Sequence, residues 1–122
     1  MKVLLVDDSP MQQKIAKIYL EKGEGYQVIT AENGRMGVEL ARTELPDLIL
    51  LDVEMPEMNG EEALKALKEN DLTKEIPVIM CTGNDVFTEE QFLNLGAIGY
   101  LKKPHGFSTL KAKIRDLFKG KE

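Results

Sequence analysis

The chain has a single cysteine, Cys81, among its 122 residues, so no disulfide can close within it. Cys81 sits inside an apolar run, where a small buried hydrophobe is the usual occupant, and a structural role is expected. No apolar stretch reaches the roughly 18 residues that a membrane span needs. Met1 and Lys2 lead straight into an apolar segment, so neither a signal peptide nor an anchor is expected. The expected place of work is the cytoplasm, with no membrane insertion. A basic excess is also lacking: 16 Lys and Arg stand against 21 Asp and Glu, for a net charge of −5. Lys119 and Lys121 are too sparse to form a basic stripe, and direct nucleic-acid binding is not expected. Low-complexity segments, interdomain linkers and repeats beyond one strand–helix unit are absent as well.

What is present is ordinary for a folded domain: 43% hydrophobic and 30% charged residues in a chain long enough to bury a core. One domain, residues 1–122, is expected, with no output domain, since the chain stops just after the fifth helix. Short apolar runs alternate with stretches of helical period five times. Strands are expected near residues 2–7, 26–31, 47–52, 77–82 and 98–102, with helices between them. The first helix is signed by Ser9 at the N-cap, Pro10 at N1 and Gln12 at N3. Asn59 with Glu62, and Thr88 with Gln91, repeat the capping pattern for the third and fourth helices. In the fifth, Leu110, Ile114, Leu117 and Phe118 fall on one face. Breaks between elements are expected at Gly23 to Gly25, Pro46, Pro56 to Gly60 and Pro77.

Three of the apolar runs end in a carboxylate or hydroxyl. Val3 to Val6 leads into Asp7 and Asp8, Leu48 to Leu51 into Asp52, and Val78 to Cys81 into Thr82. A fourth, at Tyr100 and Leu101, ends in Lys102, Lys103 and Pro104. In an open parallel sheet ligands bind outside the carboxyl ends of the strands, so these groups converge on one pocket. Three carboxylates gathered there repel one another unless a divalent cation compensates them. The simplest reading is a Mg²⁺ site beside a reactive aspartate.

Val-Asp-Asp-Ser, Leu-Asp-Val-Glu-Met-Pro-Glu-Met-Asn-Gly, Cys-Thr-Gly and Leu-Lys-Lys-Pro, in that order along the chain, resemble the signature segments of a response-regulator receiver domain of the stand-alone, chemotaxis-like type. The resemblance covers the whole chain. It implies a flavodoxin-like (βα)5 α/β fold, a doubly wound parallel sheet with strand order 2-1-3-4-5. Asp52 matches the family's phosphoacceptor. By resemblance Asp8 and Asp52 bind Mg²⁺ directly, Asp7 helps through water, and the main-chain carbonyl of Glu54 supplies another oxygen. Lys103 matches the phosphate-binding lysine, Lys102 is expected on the opposite face, and a cis peptide is expected between Lys103 and Pro104. Thr82 is expected to donate its hydroxyl to a phosphoryl oxygen. Tyr100 matches the switch aromatic, whose ring turns inward when Thr82 moves.

Glu54 and Asn84 match two variable positions flanking the path of the hydrolytic water, and are expected to tune the lifetime of the phosphorylated form. His105 departs from the family, where a phenylalanine is common, and is read as an inert loop residue; Phe107 is a candidate to replace the missing aromatic. Met11, Met55 and Met58 are read as gap-fillers or loop contacts, with covering of the pocket by Met55 and Met58 as the alternative. The resemblance implies docking of a histidine kinase or histidine phosphotransfer protein on the first helix, near Met11, Gln12 and Ile15. The phosphorylated form would then bind an unknown downstream protein through helix 4, strand 5 and helix 5. The chain would be no enzyme beyond its own phosphorylation and dephosphorylation. Two other classes stand beside this reading: a phosphate-independent binding module on the same fold, and a small-molecule aspartyl-phosphate phosphatase. The second is disfavoured because the acids at the first strand are adjacent, the candidate nucleophile follows the third, and no cap domain encloses a substrate.

Overall fold

A computed structural model describes residues 1–55, 58–82, 88–102 and 107–118. Five strands alternate with five helices: β1 (Lys2–Val6), α1 (Pro10–Glu24), β2 (Gln27–Ala31), α2 (Gly34–Glu44), β3 (Leu48–Asp52), α3 (Gly60–Glu69), β4 (Val78–Thr82), α4 (Glu89–Asn94), β5 (Gly99–Lys102) and α5 (Phe107–Phe118). The strands form one parallel sheet in the order β2-β1-β3-β4-β5, the doubly wound topology expected. The central strands β3 and β4 are buried at every position, which is why their sequences, LILLD and VIMCT, read as continuous apolar runs.

Strand alternation splits the interior into two cores. Leu4, Val6, Ile49, Leu51, Val78 and Met80 face α2, α3 and α4, where Ala41, Ala63, Leu64, Leu67 and Phe92 close the layer. Val3, Leu5, Leu48, Leu50, Ile79 and Cys81 face the other way, onto Ala16 and Leu20 of α1 and Leu110 and Ile114 of α5. Cys81 is therefore a buried core residue, as its setting in the sequence implied. In α5 the expected stripe holds at Leu110 and Ile114, which are buried, and Leu117, which packs against them. The Phe118 side chain lies outside the described part.

Capping follows the sequence closely. Ser9 accepts from the Gln12 amide, and reciprocal capping boxes join Asn59 to Glu62 and Thr88 to Gln91. Each strand is one residue shorter than expected, Gly60 opens α3 instead of lying in the break before it, and α1 runs through Gly23 to Glu24, stopping only at Gly25, whose φ of 71° lets the cap amide reach the carbonyls of Leu20 and Glu21. A left-handed turn needs one glycine, and the second of the pair supplies it. No helix among the described residues is long and apolar enough to cross a membrane.

Candidate functional site

The carboxyl edge of the sheet is built from backbone outward. The Asp7 amide extends the β1–β2 ladder by donating to the Ala31 carbonyl (3.0 Å). The Gln13 side-chain amide, from the first turns of α1, then donates to the carbonyls of both Asp7 (2.5 Å) and Ala31 (3.3 Å). Asp7 Oδ1 in turn accepts from the Ser9 amide at 2.9 Å, so the turn between β1 and α1 is closed from both sides. Asp7 is thereby held buried, while Asp8 stands exposed beside it.

Asp52 is the last residue of β3 and is only 5% exposed. The chain beyond it folds back tightly: the Gly60 amide, at the start of α3, donates to the Val53 carbonyl at 2.8 Å. A Cβ on Gly60 would lie 2.3 Å from the Asp52 carbonyl oxygen, so only glycine permits α3 to begin this close to the acid. One carboxylate oxygen each from Asp7, Asp8 and Asp52 comes within 4.8 Å of the others. Three hard oxygen donors, two of them on buried residues, with no nitrogen or sulfur ligand among them, fit Mg²⁺ in their chemistry.

Thr82 ends β4, fully buried. Asp52 pairs with Cys81 across the ladder, which places Thr82 one residue beyond Asp52 on the neighbouring strand. Its hydroxyl donates to Glu54 Oε1 at 2.6 Å, across 28 residues of sequence. The Glu54 amide points at Asp52 Oδ1, at 3.4 Å. Glu54 is thus tied to both site residues, a relationship that its reading as a rate-tuning loop residue did not anticipate. On β5, Tyr100 is half-buried and its ring stacks on Phe92 of α4, with centroids 5.6 Å apart. Met55 and Met58 pack against the α2–α4 core.

Lys103, Pro104 with its expected cis peptide, Asn84 and His105 lie outside the described residues, as do the side chains of Lys102 and Phe107. On α1, Met11 and Gln12 are exposed and Ile15 is half-buried. Ile18 and Tyr19 add further exposed apolar surface to that helix. Sequence reasoning passed over Gln13, Gly60 and Phe92. For Gly60 the signal was available, since it follows directly on the Asn59 cap and lies eight positions after Asp52.

Residues 3–115 match the response regulator receiver domain family. Protein PilH of Pseudomonas aeruginosa is 42% identical over 120 residues, covering 98% of each chain. Among solved structures, the chemotaxis protein CheY4 of Vibrio cholerae superposes with a TM-score of 0.85 at 34% identity, over 95% of this chain and 97% of that one. The receiver domain of the sensor histidine kinase PA1611 of P. aeruginosa, which has a magnesium ion in its active-site cleft, gives 0.84 at 26% identity, over 95% of each. The chain spans about half the length of several other curated relatives. A family match over residues 3–115, with a relative 42% identical across nearly the whole chain, identifies it as a member of the response-regulator receiver domain family, whose members are signalling proteins of two-component systems.

Proposed function

We propose that this domain is a phosphorylation switch in which Asp52 receives a phosphoryl group from a histidine kinase or histidine phosphotransfer protein and a changed surface then engages a downstream protein. The observation that carries this reading is the convergence of Asp7, Asp8 and Asp52 on one point at the carboxyl edge, with the Thr82 hydroxyl on the adjoining strand end. The proposed place of work is the cytoplasm.

The chemistry follows from charge. An Asp52 carboxylate oxygen attacks the phosphorus of a phosphohistidine donor; the new P–O bond forms as the P–N bond breaks, and the departing imidazole keeps that electron pair. Attack of an anion on an anionic group needs neutralisation and in-line positioning more than it needs a base. Mg²⁺, when bound, supplies that neutralisation as a Lewis acid toward phosphoryl oxygens. Asp8 and Asp52 are its proposed direct ligands, with Asp7 acting through water and the Glu54 carbonyl as a further oxygen. Gly60 lets α3 begin against the main chain of Asp52 and Val53. Thr82 is assigned to a phosphoryl oxygen in the modified state, together with Lys103. Tyr100 is assigned to relay the change to α4 and β5; its contact with Phe92 supports that assignment. Glu54 and Asn84 are assigned to the lifetime of the acyl phosphate. The cis peptide before Pro104 remains part of this proposal as the device that aims Lys103.

Incubation with acetyl phosphate, with and without Mg²⁺, followed by intact-protein mass spectrometry, tests the reading. A single phosphoryl adduct that requires Mg²⁺ and is lost in Asp52→Asn is expected. An adduct that persists in Asp52→Asn, or none in the wild type together with no response to beryllofluoride, would leave the phosphate-independent binding module as the better account.

A further inference from the structure

The Thr82 hydroxyl is committed to the Glu54 carboxylate at 2.6 Å, the short range of a hydrogen bond to an ionised acceptor. A threonine hydroxyl has one proton and donates to one acceptor at a time. Building on the proposed function, we propose that Glu54 is the latch of the unphosphorylated state: it accepts the Thr82 hydroxyl hydrogen bond that the phosphoryl group on Asp52 must win, and so sets how readily the domain switches.

Three features support the latch. Thr82 is fully buried at a strand end, whereas Glu54 is exposed and its side chain can leave for water once released. Glu54 is tethered two residues from Asp52, with its amide directed at Asp52 Oδ1, so any new group on Asp52 arrives within reach of the latch. Phosphorylation also adds negative charge and strong acceptor oxygens at that place. The same event therefore offers Thr82 a better acceptor and repels the Glu54 carboxylate. Glu54 would act before the chemistry of dephosphorylation, as a positioning residue working through Thr82, and distinctly from its proposed influence on the hydrolytic water.

A double-mutant cycle separates the latch from simple charge repulsion. The probe is beryllofluoride with Mg²⁺, and the readout is the concentration giving half-maximal change in backbone amide NMR shifts. Glu54→Ala should lower that concentration by about tenfold when the Thr82 hydroxyl is present. The effect should shrink to less than about threefold in the Thr82→Val background and return in Thr82→Ser, which restores the hydroxyl. The same improvement in all three backgrounds would assign the effect to charge alone and overturn the latch, as would no improvement in any. A wild type that responds to neither beryllofluoride nor acetyl phosphate would instead remove the switch reading on which the latch rests.

Discussion

The rings of Phe92 and Tyr100 stack at 5.6 Å with an interplanar angle of 24°, and this contact joins α4, the shortest helix among the described residues, to an edge strand of the sheet. Phe92 is fully buried, whereas Tyr100 is only partly so. One ring is thus an anchor and the other keeps a side open to water. Helix α4 has only six residues and little capacity to hold itself, so its position depends on that anchor.

Removing the anchor should therefore loosen the whole corner. Phe92→Ala is expected to cost about 3–5 kcal/mol of unfolding free energy, measured by urea denaturation. Hydrogen exchange should show the largest loss of protection in α4 and β5. A loss spread evenly over the sheet would contradict the anchoring role.

Two glycines allow a matched comparison. At Gly60 a methyl would meet the Asp52 carbonyl oxygen and Val53 Cα, whereas at Gly25 it would meet nothing within 4 Å. Gly60→Ala should cost about 1–3 kcal/mol through displaced backbone and should also slow labelling of Asp52 by acetyl phosphate. Gly25→Ala should cost about 1 kcal/mol, from the left-handed conformation alone, and leave labelling unchanged. Thermal melts paired with mass spectrometry read both quantities.

Gln13 holds the backbone on which Asp7 is mounted. Gln13→Leu is expected to weaken Mg²⁺ binding about tenfold by calorimetric titration, as loss of a group that orients a ligand commonly does. Gln12→Leu, one position along on the exposed surface, should leave Mg²⁺ affinity as it is.

Away from the site, Lys68 donates to the carbonyls of Lys74 and Ile76, both at 3.0 Å, and staples the end of α3 to the segment entering β4. Burial lowers its pKa below the usual 10.5, partly offset by attraction to Glu75. Because the folded-state pKa is depressed, the unfolded chain binds the extra proton, and wild-type stability rises with pH between the folded value and 10.5. Below that window the penalty is complete and constant. Lys68→Met should cost about 1–2 kcal/mol at neutral pH for the lost carbonyl bonds. The gap between wild type and variant should widen as pH rises through the alkaline window, which denaturation at several pH values would detect.

The sheet and its acids were legible in the sequence for a simple reason. A strand buried on both faces has no room for polar residues until it ends, so Asp7, Asp52 and Thr82 mark the ends of β1, β3 and β4 by interrupting apolar runs. Caps such as Asn59 and Thr88 are equally local, since donor and acceptor lie three residues apart. The bond from Thr82 to Glu54 is of another kind, because its partners lie 28 residues apart and meet only through the pairing of β3 with β4. Gln13 reads as one more polar residue on a surface helix until the carbonyls of Asp7 and Ala31 are seen beneath it. Gly23 misled because a glycine pair signals a helix end without saying which member provides it.

The sheet keeps its two hydrocarbon layers apart: the buried side chains packed on α1 and α5 are none of those packed on α2, α3 and α4. Volume changes in one layer are absorbed there, so substitutions in the two should add with little coupling. A lineage of such domains can accordingly redraw the packing beneath α1 and α5 while leaving the packing around Tyr100 untouched, or do the reverse. The two faces of the domain can then drift on separate schedules while the acids at the strand ends stay where they are.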